Sequence, residues 1–393
     1  MRSRVRQLVN ELPDTLDETY ERVLKEIPKT NRDHVQRLLQ CLAVAIRPLR
    51  VEELAQVLVF DSDAIQGEAS MLGPDSRPED HEQELLSACP SLITIVDDHS
   101  SRIVQFSHFS VKEFLTSVRL SISGKGISSF HIVPDAAHTT ISRASLAVLL
   151  RLDDRVDRWS AWNTPLARYA AEYWVSHVQV ADTSSHVMRM METLFDLDKP
   201  HFTAWVRIYD IDKPDWDPDR ATAKPLYYAA LCGFYHLIDH LVKKNVGDVN
   251  AVGGQLDYPL VAALHKGHIS VANLLLRHDA NVNRPGTFGQ TSLHQTIKRF
   301  NDTVFDAVQF LLEHGANVNA QQWNLRTPLH LAAAWRNDEV SQTPFQRRAD
   351  FDQGLLADSV RPGANTETFS LTFRPRSTVT EVWRKCICEG QPG

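Results

Sequence analysis

Cysteine is scarce. Five residues (Cys41, Cys89, Cys232, Cys386 and Cys388) in 393 are too few and too scattered for a disulfide scaffold, which points to a reducing compartment. Long uncharged apolar runs are missing too. The best, Cys41 to Phe60, is broken by Arg47, Arg50, Glu52 and Glu53, whereas a spanning helix needs about 20 nearly uncharged residues. The start, Met1-Arg-Ser-Arg-Val-Arg, is basic but runs into Asn10, Glu11 and Pro13 without the apolar stretch of a signal peptide. Nor is there an excess of positive charge. Lys and Arg number 42 against 49 Asp and Glu, leaving −7, which argues against coating nucleic acid or an anionic membrane. The expectation is a cytoplasmic, soluble chain with no membrane span.

Motifs of catalysis are missing as well. A phosphate-cradling loop needs Gly-x4-Gly-Lys-Ser/Thr, whose backbone N–H groups hold the phosphates. The one Gly-Lys pair is Gly124-Lys125, with Arg119 at the first glycine position and Gly126 in place of Ser/Thr. Leu92-Ile-Thr-Ile-Val-Asp-Asp98 imitates a metal-binding strand of such enzymes, but no loop lies upstream to pair with it. There is no His-Glu-x-x-His and no Gly-x-Ser-x-Gly. Cys386-Ile-Cys388 lacks the second ligand pair that a structural zinc needs. We therefore expect no catalytic residue, no cofactor and no metal: not an enzyme.

What is present is repetition. Lys224-Pro-Leu-Tyr-Tyr-Ala-Ala230, Tyr258-Pro-Leu-Val-Ala-Ala263, Thr291-Ser-Leu-His294 and Thr327-Pro-Leu-His-Leu-Ala-Ala333 align. The first three copies end in Asp248-Val-Asn250, Asn281-Val-Asn283 and Asn317-Val-Asn319. From Asn250 to Asn283 is 33 residues, the ankyrin period, and Thr-Pro-Leu-His-x-Ala is the ankyrin signature. The segment resembles the ankyrin family closely. Thr327 is placed to cap a helix, and Pro328 sits where a missing N–H costs nothing. Leu329 is expected to point into the stack. Gly233 and Gly267 end first helices and Gly315 ends a second one, with Asp279 in the place of another such glycine. His294 and His330 occupy a motif position from which a histidine hydrogen-bonds between repeats. The pattern lapses after Val340, where Ser341-Gln-Thr-Pro344 follows. The tail holds Pro344, Pro362, Pro375 and Pro392 and few periodic apolar positions, so it is expected to be poorly ordered.

Residues 10–120 have another rhythm. Apolar spacing predicts helices over Asp14–Pro28 and Arg32–Ala45, a third from about Val51 and a fourth over Glu82–Cys89. Leu92–Val96 and Ile103–Phe106 alternate as strands around Asp97-Asp-His-Ser-Ser101, and helix resumes over Val111–Val118. Three helices and then a hairpin is the order of a winged helix. Its groove-reading helix normally carries cations. The stretch Glu79–Ala88 holds four acids and no Lys or Arg, which argues against DNA. His108 and Lys112 are expected to dock the last helix against the wing.

Leu12-Pro-Asp-Thr-Leu-Asp-Glu-Thr-Tyr-Glu-Arg-Val-Leu24, Arg47-Pro-Leu-Arg-Val-Glu-Glu-Leu54 and His108-Phe-Ser-Val-Lys-Glu-Phe-Leu115 resemble the region after the NTPase in fungal NACHT–ankyrin proteins. Those are NOD-like receptors of the STAND class. Trp162 to Trp174 and Phe202 to Tyr209 are similar to their helical spacer. The resemblance covers roughly residues 10–340 and implies the part of a receptor that begins just after the nucleotide site. Related winged helices are sometimes labelled after GPI inositol-deacylase, a label that brings no nucleophile with it.

The expected fold is mainly α, in five parts. A helical segment over 1–30 precedes a winged-helix-like domain over 31–122 and a helical spacer over 123–221. Ankyrin repeats over 222–340 follow, about three full and one partial, and then a tail over 341–393. The expected function is protein–protein interaction through the ankyrin surface. The alternative is the sensor half of a nucleotide-dependent switch whose NTPase lies upstream or on another chain. Leu and Ala positions hold such a stack together, so partner choice falls to outward residues of hairpins and first helices: Phe288, Gln290, Gln295, Lys298, Gln322, Trp323, Asn324 and Arg326. Trp323 is foremost, because an indole buries much apolar area in a partner pocket.

Overall fold

The computed structural model describes residues 15–59 and 81–334, except 90, 99–100, 125, 154, 157–158, 182–184, 213–222, 245–248 and 299–303. The tail after Val340, Cys386, Cys388, Lys125 and the side chain of Leu329 lie outside the described residues. The chain forms two compact units, divided between residues 245 and 246.

In the first unit, α1 (Leu16–Glu26) opens with Thr15, whose hydroxyl accepts from the Glu18 amide at 3.2 Å. There follow α2 (Arg32–Val44), β1 (Leu49–Arg50), α3 (Val51–Val59), α4 (His81–Ala88), β2 (Ile93–Asp98), β3 (Ser101–Phe106), α5 (Phe109–Thr116) and α6 (Val118–Ser121). The sheet is antiparallel, in the order β1-β3-β2, with Ile93 opposite Phe106 and Leu49 opposite Val104. Two-residue β1 was not expected. It joins the wing to the helices, so Leu49 and Val104 are buried together with Leu38, Leu54, Leu85 and Leu92. This is a winged helix. α1 packs on α5 through Tyr20, whose ring lies 5.5 Å from that of Phe114 and whose hydroxyl shares a hydrogen bond with Ser110 at 2.8 Å. His108 departs from expectation: it is exposed and caps α5, its Nδ1 accepting from the Ser110 amide.

The spacer comprises α7 (Pro134–Leu149), α8 (Ala167–Val180), α9 (Ser185–Leu194) and α10 (His201–Ile208). α7 lies between α2 and α8. The next two helices, α11 (Pro225–Cys232) and α12 (Tyr235–Lys244), in the segment expected to hold the first repeat, pack directly on these helices. Trp174 and Trp205 meet edge to face at 5.2 Å, Trp174 lies 5.5 Å from Phe234, and Tyr228 lies 5.9 Å from Trp205. Polar links follow the same seam: Gln179 Nε2 donates to the Cys232 carbonyl at 2.8 Å, and Lys244 pairs with Asp196 at 2.9 Å.

The second unit holds α13 (Pro259–His265), α14 (Ile269–Arg277), α15 (Ser292–Ile297), α16 (Val304–Glu313) and α17 (Pro328–Ala334). First helices α13, α15 and α17 stack side by side. Their proline or small residue at the first turn, and the buried Leu260, Ala262, Ala263 and Leu293, allow that approach. Asp279 takes φ +64° where the next repeat has Gly315 at φ +81°, so the aspartate tolerates the left-handed turn. The asparagines of the period are rivets. Asn250 Nδ2 donates to the Asp279 carbonyl and its Oδ1 accepts from the Asn281 amide, both at 2.8 Å. One repeat later Asn283 does the same to the Gly315 carbonyl and the Asn317 amide, at 3.0 and 2.7 Å.

Candidate functional site

Hairpin tips between the first helices of the second unit carry most of the residues expected to choose a partner. Phe288 is 59% and Trp323 is 77% exposed. They are not independent. The Trp323 amide donates to the Phe288 carbonyl at 3.0 Å, and the two rings meet edge to face at 5.6 Å. Gly289, at φ +71°, makes the approach possible, since a Cβ there would fall 2.8 Å from Trp323 Cδ1. Phe288 itself sits at φ +59° and Leu325 at φ +62°, a backbone region that bulky residues rarely occupy. The pair thus packs hairpin on hairpin and still turns most of its surface outward.

The polar candidates are more occupied than their sequence positions suggest. Gln290 and Lys298 bond each other at 2.7 Å, and Gln295 Nε2 donates to Asp257 at 2.6 Å. Burial pushes the Lys298 ammonium below its ordinary range, against the pull of Asp257. Buried Asp257 also accepts from the Thr287 amide at 2.9 Å and from the Thr287 hydroxyl. Gln322 is a correction: it is 7% exposed, turned in to donate to Asn324 at 2.8 Å while its backbone closes the hairpin with Arg326. Asn324 and Arg326 are exposed. Leu325 and Arg284, both exposed on the same tips, carry no motif signal that marks them as outward.

His294 is structural. Its Nε2–H donates to the Arg326 carbonyl at 3.1 Å, so Nδ1 carries the lone pair that the Thr291 amide and hydroxyl approach at 3.2 and 2.9 Å. Burial, with the Lys298 charge, lowers its pKa and keeps it neutral. Thr327 and His330 repeat the local pair. The histidines therefore lock tips to helices; they are not ligands in a cluster. Among the described residues no group of His, Cys, Asp and Glu is placed to hold a metal ion.

A second polar cluster joins the winged helix to the spacer. The Arg47 guanidinium grips both oxygens of buried Glu53 at 2.8 and 2.7 Å and lies 4.9 Å from the Tyr169 ring centre. Glu53 also accepts from the Arg50 amide at 2.8 Å. Burial drives its carboxyl upward, but the Arg47 hydrogen bonds, the Arg50 amide and both cations outweigh it and hold the pKa below the ordinary value. Beside this pair the Ile46 amide donates to Tyr169 Oη at 3.2 Å, which directs the phenolic proton to His177 Nε2 at 2.8 Å. His177 Nδ1–H is then left to donate to His138 Nδ1 at 2.9 Å. Each proton is assigned, and both imidazoles are neutral.

Burial, reinforced by His138, pushes His177 down to about 4. Unfolded, it titrates near 6.5. Between those values the unfolded chain binds a proton that the native chain refuses. Stability is therefore full above about pH 6.5 and falls by about 3 kcal/mol as pH drops to about 4. Denaturant unfolding across that range should show the slope, and His177→Gln should flatten it; an unchanged slope in the variant would assign it to other groups.

Two of the described thiols are inert in this frame. Burial pushes both Cys41 and Cys89 up to about 12. Among the described residues no helix is long and apolar enough to cross a membrane.

Comparison with known proteins agrees with this architecture. Residues 21–123 match the family described as the winged helix domain of GPI inositol-deacylase. Residues 260–352 match ankyrin repeats, in three copies. A relative from Monascus ruber, azaphilone pigments biosynthesis cluster protein L, is 34% identical over 297 residues, which is 70% of this chain and 61% of that protein. The chain thus spans less than two thirds of that relative's length. A winged helix domain and ankyrin repeats, the latter a protein-interaction architecture, are what this mainly helical chain carries.

Proposed function

We propose that this chain is a non-enzymatic interaction module of a NACHT–ankyrin, NOD-like receptor type, cytoplasmic, whose ankyrin hairpin tips bind a protein partner. The exposed Phe288–Trp323 pair carries the reading, because exposed aromatics held on a rigid frame are what interface hot spots are made of. The order winged helix, spacer, ankyrin repeats supports the receptor context. The buried thiols fit a reducing compartment. Nucleic acid is disfavoured by α4, in which Glu82 and Glu84 are the charged residues apart from His81.

Proteins captured on the purified chain and quantified against the Trp323→Ala variant provide the test. Truncating a hot spot costs about 2 kcal/mol or more, or about 30-fold in affinity. The edge-to-face packing that this variant gives up within the protein is worth at most about 1.5 kcal/mol, so melting should shift little. A variant that captures its partners undiminished sinks the reading. The switch alternative separates cleanly: titration calorimetry of this chain with magnesium-ATP should give no heat of binding, and micromolar affinity would favour that alternative.

A further inference from the structure

The exposed groups of the tips are sorted by kind. On hairpins 249–257, 281–290 and 317–326, the exposed large apolar residues are Val252, Phe288, Trp323 and Leu325. Among the described residues of these hairpins the charged ones are Asp257, Arg284 and Arg326; Asp248, at the place of Asn281 and Asn317, lies outside them. Asp257 is buried and engaged by Thr287 and Gln295. Both cations are exposed, Arg284 with its guanidinium 5.7 Å from the Tyr258 ring centre. The exposed acids Asp279 and Glu313 stand at the C-terminal ends of α14 and α16, not on these hairpins. In a chain of net charge −7, the exposed charges on the described residues of the tips are thus both positive.

Resting on the binding reading above, we propose that the tips select an acidic segment of the partner: a stretch in which Asp or Glu flanks large apolar anchors such as Trp, Phe or Leu. The anchors cover the Phe288–Trp323–Leu325 surface, and the carboxylates meet Arg284 and Arg326. A basic segment meets two cations with no exposed acid among the described residues of the hairpins to offset them. A neutral one leaves both guanidiniums unpaired at the rim. Complementary charge of this kind sets specificity and encounter rate while the aromatic contacts supply most of the affinity. Arginine suits the task, since its planar fork binds a carboxylate through two parallel hydrogen bonds.

The full chain, immobilised, is panned with a random-peptide display library. Expected is enrichment of peptides with an excess of Asp and Glu over Lys and Arg, together with Trp, Phe or Leu. Their affinity should fall about 30-fold in Trp323→Ala. In the double variant Arg284→Glu, Arg326→Glu it should fall about 10-fold, and that variant, panned itself, should enrich basic apolar peptides instead. Melting of each variant is followed alongside, so that a loss of binding is compared at equal folding. Apolar peptides enriched without acidic bias, still dependent on Trp323, would overturn this inference and leave the binding reading standing. Enrichment indifferent to Trp323, or none above the bare matrix, would overturn both. A wild-type dimer in sedimentation that Trp323→Ala renders monomeric would give the surface to a second copy, against the proposal.

Discussion

Glu53→Ala should lower the melting temperature of the first unit by about 6–12 °C. Glu53 is fully buried, yet it is a carboxylate, and three groups hold it: both guanidinium nitrogens of Arg47, the Arg50 amide and the Arg50 side chain at 3.0 Å. Removing the acid strands the Arg47 guanidinium between Tyr169 and a vacated cavity. Breaking one side of a buried pair typically costs about 3–5 kcal/mol. Arg47 keeps partial access to water, so about 3 kcal/mol is expected, and a unit of this size melts about 2–4 °C lower for each kcal/mol. Arg47→Met with Glu53→Leu removes both charges and should recover a large part of the loss, because the paired cost of desolvation vanishes with the pair. Acid acts in the same direction: the Glu53 carboxyl titrates below its ordinary value, so its contribution is present above about pH 4.3 and is lost as pH falls through the lowered pKa. Thermal melts of the three proteins check all of this. A Glu53→Ala protein as stable as wild type would mean that the cluster does not hold the winged helix to the spacer.

That joint was invisible in the sequence for a physical reason. Ile46 meets Tyr169 across 123 positions and Leu166 meets Gln56 across 110, and no local period records such pairings. What the sequence does record is local. Thr-Pro-Leu-His announced capped first helices, and the 33-residue recurrence of asparagine marked the rivets between hairpins. The wing was legible from alternation, although its strands run on to Asp98 and back from Ser101, beyond the Leu92–Val96 and Ile103–Phe106 expected. β1 is two residues long, too short to have a period, and Leu49 and Arg50 read instead as the approach to a helix. At the tips, Phe288 and Trp323 were legible as outward aromatics because the repeat motif fixes where a hairpin points. Gln322 was not. Polarity suggested exposure, but its side chain folds in to brace Asn324 and the turn. Leu325 carries no such signal either, since leucine in this repeat marks the positions that hold the stack together, and here it is 60% exposed.

Trp205→Ala should destabilise α8, α10, α11 and α12 together. The indole is fully buried, with Trp174, Phe195, Phe202 and Tyr228 all within 6 Å of it, ring centre to ring centre, and its Nε1–H donates to the Ala171 carbonyl at 3.0 Å. Two of these neighbours belong to α8 and to α11, so the indole is the common wall between spacer and repeat. Tyr228 is held there from its other end, its hydroxyl donating to Asp210 at 2.9 Å. Truncating a buried tryptophan costs about 3–5 kcal/mol, through reduced transfer energy and through the cavity that remains. The released Ala171 carbonyl sits inside helix α8, where the backbone ladder already gives it a partner, so it adds little. The distribution of the loss is the informative part. If α11 and α12 have their stability from the spacer, amide hydrogen exchange should accelerate in α8, α10, α11 and α12 alike, while Leu293 and its neighbours in α15 keep their protection. Acceleration confined to α8 and α10 would mean that the first repeat's helices fold on their own, and that the aromatic seam joins two independent pieces rather than founding one.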